Sequence, residues 1–387
     1  VISVGKATEA IHGHEFRDEV SGAFIPPIYL TAIFEQRGET RLTDRGTELK
    51  YSREENPTVR ALEKVIAKLE GGSDALAFNS GMAAISAVIL GLVKRDYKIL
   101  VPIESYGTSL ELIQSLGEKI GFKIKLSWPE TEAIMADIVS EKPDIVFIES
   151  MTNPTLRVLD VSEICKVCLE EACWVIVDNT FTTPILLNPL KYGSIAIVHS
   201  TTKYIAGHND VVGGAIVSNE SYIKYFWDWR RMLGSIMQPF EAYLTIRGLK
   251  TLNIRVERSS TTAKVIAEYL SDHSRVEDVY YPGLNSSPYN IIAKRIFQKD
   301  LYGGVVSFKV KGGRDEALKV LRKVKIIKPS PSLGGPESLL TYPVISASRY
   351  IPEDARRKLG ITDNLLRLSV GLEDSEDLIE DLSQALE

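Results

Sequence analysis

Between residues 74 and 218 short apolar, β-rich runs recur: DALAF (74–78), KILVP (98–102), DIVFIES (144–150), WVIVD (174–178), SIAIVHS (194–200) and GGAIVS (213–218). Most are continuous rather than alternating, the pattern of strands covered on both faces. Segments with helical character, notably SGMAAISAVILGLVK and SLELIQSLGEKIG, separate several of them. Ala83–Val93 is apolar throughout, a run that periodicity alone assigns to either state; it is read here as helix. This succession predicts an α/β domain on a largely parallel sheet.

The flanks read differently. Residues 1 to 50 carry no strong period, and FIPPIYL (24–30), with two prolines, reads as an extended arm. A helix is predicted over NPTVRALEKVIAKLEGG, with Asn56 as cap, Pro57 in the first turn and Gly71 as stop. Beyond residue 240, PFEAYLTIRGLKTLNIRVERSSTTAKVIAEYLSD reads as one long helix or two joined ones. Strands VVSFKV (305–310) and LLRLSVG (365–371) follow, with helices over 314–325 and 375–387, which suggests a smaller α+β domain. The expected division is an arm over 1–50, a main domain over 51–240 and a C-terminal domain over 241–387.

Several function classes are disfavoured at once. Lys and Arg number 46 against 51 Asp and Glu, a net charge of −5, where a nucleic-acid binder normally carries a basic excess. The longest apolar stretch has 11 residues, short of the roughly 20 that span a bilayer. The first residues lack the basic-then-apolar layout of a signal peptide. Three cysteines give no disulfide framework in so long a chain. The expectation is a cytoplasmic protein that acts on small molecules, with no nucleic-acid or membrane partner and no metal.

Three segments carry chemistry. In HSTTKYIAGHNDVVGG, Lys203 follows directly on a predicted strand, among hydroxyls and before a glycine-rich turn. Most lysines are simply solvated, but ligands of open α/β sheets bind beyond the carboxyl ends of strands, and an amine desolvated there becomes a nucleophile. In WVIVDNTFTTP, Asp178 closes a buried strand; it is either a turn residue or the carboxylate partner of a ligand cation, such as the ring nitrogen of pyridoxal phosphate. In FNSGMAAISAV, Ser80 and Gly81 lie between strand and helix, where free N–H groups either take a side-chain cap or cradle a phosphate. Neither GxGxxG nor GxxxxGK[ST] occurs.

With these segments in place the chain resembles the Cys/Met metabolism family of fold-type I pyridoxal-phosphate enzymes, the cystathionine γ-synthase and γ-lyase group. The resemblance runs through YSREENPT (51–58), SGMAA (80–84), ESMTNPT (149–155), VDNTF (177–181), the Lys203 segment, FEAYLTIRGLKTLNIR (240–255), SLGGPESL (332–339) and LLRLSVGLED (365–374). It implies a seven-stranded, aspartate-aminotransferase-like cofactor domain followed by a smaller α+β domain. It implies that Lys203 carries pyridoxal 5'-phosphate, with Asp178 at the pyridine nitrogen. Gly81, Met82, Ser200 and Thr202 would hold the phosphate, joined by Tyr51 and Arg53 from a neighbouring subunit. Tyr106 would stack on the ring and assist proton transfer. Asn153 would lie near the ring hydroxyl, and Ser332 and Arg367 would hold the substrate's α-amino acid end. The same resemblance implies a homotetramer, a dimer of dimers with shared active sites.

Three positions depart from the family pattern. Pro331 stands where lyases often have glutamate, Thr108 where methionine γ-lyases usually have cysteine, and Ser346 where histidine is common before Ala-Ser. The expected activity is γ-replacement of an O-acylhomoserine by cysteine, ahead of cystathionine γ-cleavage and of sulfhydrylase activity; a catalytically silent regulator on the same scaffold is the reading from another class. Cys165, Cys168 and Cys173 are read as core thiols rather than zinc ligands. His12 and His14 are read as part of a solvated arm, His199 as packing and His208 as structural.

Overall fold

The computed structural model describes residues 4–16, 18–36 and 49–387; the other residues of the predicted arm lie outside these. The arm is less featureless than its composition suggests. Lys6–His12 form helix α1, which buries Ala10 and packs on α2 (Pro57–Glu70). His12 is exposed, as read, but His14 is buried, with its ring accepting from the Phe16 amide. Helix α2 starts and stops where its residues dictate. The Asn56 side chain accepts from Thr58 N, Pro57 occupies the first turn, and Gly71 ends the helix at φ 75°. Its apolar face, Leu62, Val65, Ile66 and Leu69, is wholly buried. Residues 24–30 are extended and pinned to the start of α2 by bonds from Thr58 Oγ1 to Pro27 O and from Asn56 Nδ2 to Tyr29 O.

The main sheet has seven strands: β1 (Asp74–Phe78), β2 (Lys98–Pro102), β3 (Lys123–Ser127), β4 (Ile145–Glu149), β5 (Trp174–Asp178), β6 (Ala196–His199) and β7 (Gly214–Ser218), in the order β1-β7-β6-β5-β4-β2-β3. Only β7 runs antiparallel to its neighbours. Helices α3 (Gly81–Leu92), α4 (Gly107–Ile120), α5 (Thr131–Glu141), α6 (Val161–Glu170) and the single turn α7 (Thr183–Leu186) lie in the connections, and α8 (Glu220–Leu233) follows β7. This is the mixed α/β, fold-type I architecture expected. Successive side chains of the buried strands alternate between two cores: Val146, Ile148, Val175 and Val177 face one, Ile145, Phe147 and Ile176 the other. The second set shares its face with Glu149 and Asp178, two residues further along each strand.

The segment read as one long helix or two joined ones is two helices, α9 (Pro239–Leu249) and α10 (Leu252–Asp272). A second sheet follows, with β8 (Val276–Tyr280), β9 (Val305–Val310), β10 (Lys328–Pro329), β11 (Leu339–Thr341) and β12 (Leu365–Ser369) in the order β10-β11-β12-β9-β8. Helices α11 (Asn290–Ile296), α12 (Gly313–Lys323), α13 (Glu353–Leu359) and α14 (Ser375–Leu386) complete the chain. Among the described residues no helix is long and apolar enough to cross a membrane.

The cysteine reading needs correction. Cys168 and Cys173 are disulfide-bonded, and only Cys165 remains a buried free thiol, pushed up to about 12 by burial. The reason is local. After α6 the chain turns back through Ala172 at φ 59°, and Cys173 N donates to Cys168 O, which brings the two Cα atoms to 4.8 Å. Helical spacing within α6 relates Cys165 to Cys168 and says nothing of this turn.

Candidate active site

A cavity of about 590 Å³ opens at the carboxyl ends of β4, β5 and β6, closed on its far side by residues 331–333 and by Arg367 of β12. It collects nearly every candidate residue of the main domain: Gly81, Met82, Tyr106, Asn153, Asp178, Ser200, Thr202 and Lys203 all line it, as do Ser332 and Arg367. Tyr51 and Arg53 do not. Tyr51 is 43% exposed, and Arg53 stacks over its ring and donates to Arg231 O at 2.6 Å.

Lys203 follows β6 after three hydroxyl residues, and its Nζ lies 3.0 Å from Ser332 Oγ. Burial, helped by the positive charge of Arg367, lowers its pKa to about 8. Asp178 ends β5. Its Oδ1 accepts from Thr180 N at 3.0 Å and Thr180 Oγ1 at 2.6 Å, and Thr180 Oγ1 accepts in turn from Ser200 N. Burial raises the Asp178 pKa against these bonds, and a cation brought beside it would offset that cost by stabilising the ionised carboxylate.

On the other side of the cavity α3 begins. Ser80 caps it through Ala83 N; Gly81 and Met82, whose N–H groups belong to the first turn and have no partner within the helix, both line the cavity. A Cβ on Gly81 would stand 3.0 Å from Ser200 Cβ, so the two segments approach as closely as glycine permits. The hydroxyl of Thr202 is tied to Gly213, donating to its carbonyl and accepting from its amide.

Arg367 is 2% exposed. Its Nη1 donates to Asn153 Oδ1 at 2.8 Å, and its Nη2 donates to Pro331 O at 2.7 Å and Ser332 O at 3.1 Å. Its Nε is buried without a partner. Of its five N–H donors three are used, so the Nε proton and one Nη1 proton remain for a carboxylate. Asn153 is fixed from behind: Ser307 donates to Pro154 O, Thr155 to buried Glu104, and Arg157 bridges Glu104 at 3.2 Å to Leu359 O. This network ties the loop after β4 to the second sheet.

Two charged lining residues escaped the sequence reading. Glu149 ends β4 directly beside Asp178 in the strand register and accepts from Tyr106 N at 2.5 Å. Burial, with the neighbouring Asp178 carboxylate second, pushes its pKa well above the usual carboxylate range, and its bond to Tyr106 N clamps the start of α4. Its register with Asp178 is the signal, and register is not written in the residue itself. Arg349, the other, lies in the segment after β11. His199 is buried and bonds Glu70 at 2.6 Å on the opposite face of the sheet, and His208 bonds Ala206 O; neither lines the cavity.

These residues fit pyridoxal phosphate. A desolvated amine, a buried carboxylate lacking a cation and a glycine-lined helix start with free N–H groups surround one space, each matched to a different part of that molecule.

A model of the family described as "Cys/Met metabolism PLP-dependent enzyme" matches residues 7–387. The chain is 39% identical over 391 residues to a cystathionine gamma-synthase of Mycobacterium tuberculosis, covering 99% of this chain and 97% of the relative. It is 37% identical over 382 residues to a cystathionine beta-lyase of Coxiella burnetii, covering 98% and 97%. A crystal structure of cystathionine gamma synthase from Xanthomonas oryzae pv. oryzae, in complex with cystathionine, superposes with a TM-score of 0.93 at 35% identity, covering 100% of this chain and 98% of that one.

Proposed function

The chain belongs to the Cys/Met metabolism family of pyridoxal-phosphate-dependent enzymes, and from that premise we propose that it is a cystathionine γ-synthase, replacing the acyloxy group at Cγ of an O-acylhomoserine by the thiol of cysteine. The observation that carries the synthetic direction is Pro331. A cleaving enzyme gains from a carboxylate that holds the distal ammonium of cystathionine. At Pro331 the chain offers only a backbone carbonyl, and that carbonyl already accepts from Arg367. The acids that line the cavity, Asp178 and Glu149, both lie at the strand ends.

Pyridoxal phosphate, when bound, supplies a protonated ring that accepts the electron pair left at a substrate carbon. The residues do the rest. Gly81, Met82, Ser200 and Thr202 hold the phosphate, Asp178 keeps the ring nitrogen protonated, and Asn153 lies by the ring hydroxyl. Arg367 forks onto the α-carboxylate, its orientation set by Asn153 and two backbone carbonyls. Lys203 carries the cofactor and, once its amine is free, takes the proton from Cα; its lowered pKa leaves a useful fraction of free base near neutrality. Tyr106 packs over the ring and helps to move protons. The acyloxy group leaves Cγ with its bonding electrons as a carboxylate, cysteine sulfur bonds to Cγ, and the thiol proton balances the departing acid. Subunits share sites in a dimer, paired into a tetramer, with Tyr51 and Arg53 reaching the partner's phosphate, and the enzyme works in the cytoplasm on small molecules.

Cleavage of cystathionine is the second reading, favoured by the likeness to a relative named as a β-lyase. Steady-state rates at one pH and temperature decide between them. The proposal expects a higher kcat/KM for O-acylhomoserine with cysteine than for cystathionine cleavage, and the reverse ranking overturns it.

A further inference from the structure

Arg349 lines the outer part of the cavity together with Thr108, Pro331, Ile345 and Ser346, none of them acidic. Its guanidinium lies 4.5 Å from the centre of the Tyr350 ring and donates to the Tyr350 hydroxyl, and it makes no ion pair among the described residues. Tyr350 is itself seated. Its ring fills the place where Gly107, at the start of α4, would carry a Cβ, so the Arg349–Tyr350 pair is braced on the turn that also presents Tyr106 and Thr108.

The other two cations that line the cavity, Lys203 and Arg367, are deep and engaged. Arg367 is buried and Arg349 exposed, so a homoserine derivative with its α-carboxylate on Arg367 and its γ-substituent extending outward would reach the Arg349 end of the cavity. There it meets a cation without a counter-charge. A stacked guanidinium with free N–H donors suits a planar carboxylate. A neutral acyl group leaves it unpaired, and the zwitterionic end of cystathionine brings an ammonium with no acid to receive it.

We propose that Arg349 determines substrate choice by holding a distal carboxylate, so that the preferred substrate is homoserine esterified with a dicarboxylic acid, the free carboxylate lying against Arg349. This inference rests on the γ-replacement reading for its substrate but on the cavity's charge layout for its residue.

The test has two arms, each run on holoenzyme with wild type, Arg349→Met and Arg349→Lys. In the first, kcat/KM is measured with cysteine and either O-succinyl-L-homoserine or O-acetyl-L-homoserine. Wild type prefers the succinyl ester, Arg349→Met lowers the succinyl-to-acetyl ratio by about tenfold or more, and Arg349→Lys keeps part of it. A ratio that is the same in wild type and Arg349→Met overturns the proposal. In the second arm the cofactor's visible absorbance is titrated with L-2-aminosuberate and with L-2-aminooctanoate, unreactive amino acids of equal chain length that end in a carboxylate and a methyl group. Tighter binding of aminosuberate that Arg349→Met abolishes supports the assignment; equal preference in both proteins overturns it. If neither ester turns over but the binding preference is present, the γ-replacement reading falls and Arg349 keeps its role. If both esters turn over without a charge preference, the reverse holds.

Discussion

Lys203 shows how far one residue can be understood from its surroundings. An ordinary lysine amine at pH 7 is free base in fewer than about one molecule in a thousand, whereas one with a pKa near 8 is free in about a tenth. Burial comes first among the causes and the Arg367 charge second, and both disfavour the ammonium form. The rate at which cofactor-stripped protein takes up pyridoxal phosphate should therefore rise with pH, pass its midpoint near 8 and level off above it. Arg367→Met removes the second cause, so its midpoint should move upward. A rate that keeps climbing toward the pKa of a free lysine in the wild-type protein would contradict the assignment. The order of residues around Lys203 and Asp178 was readable because a strand followed by hydroxyls, an amine or an acid is a local pattern. Glu149 was not. It ends its strand as many acids do, and only the β4–β5 register sets it beside Asp178. Arg349 likewise reads as a surface cation until the chain fold brings it to the cavity mouth.

At the level of elements, continuous apolar runs foretold β1, β2 and β5 to the residue, because strands buried on both faces leave no polar interruption. Four strands went unread: β10 and β11 are only two and three residues long, and the two longer ones are edges. β3 alternates lysines with Ile124 and Leu126, and β8 exposes Glu277 and Asp278. Such sequences answer to solvent as much as to the core, and charge on an edge blocks further pairing. Helix α3 shows an element working at its end. Gly81→Ala adds a methyl group 3.0 Å from Ser200 Cβ and 3.1 Å from Ser200 Cα, and so must widen the gap between α3 and the Ser200 turn. Alanine is the better helix former by roughly 0.5–1 kcal/mol, so α3 itself should not suffer. The expected result is a pyridoxal phosphate dissociation constant raised about tenfold, measured by equilibrium dialysis, with a thermal midpoint of the cofactor-free protein at or above that of wild type. Unchanged cofactor affinity would remove Gly81 from the phosphate cradle.

One chain taken alone leaves unfinished business on its surface. Phe24 is 90% exposed, Leu30 76% and Ile33 69%, and Ile33 pairs in a single antiparallel bridge with Tyr51. Phe240, at the start of α9, is also 53% exposed. Apolar side chains exposed to this extent in an ordered segment suit contact with another protein surface. Tyr51 and Arg53 belong to this segment and stay out of their own chain's cavity, so any contact they make with a phosphate is made in a second copy. The consequence is arithmetical. In a dimer with shared sites, an Arg53→Ala subunit still carries an intact Lys203, and a Lys203→Ala subunit still lends an intact Arg53. When the two inactive proteins are unfolded, mixed in equal amounts and refolded, half of the dimers are mixed, and each mixed dimer holds one site with both residues native. Recovered activity should approach about a quarter of wild type, and it should stay near zero if the two proteins are mixed under conditions where subunits do not exchange. Sites complete within one chain would give no recovery under either condition, and a fully active monomer in sedimentation would break the argument at its first step.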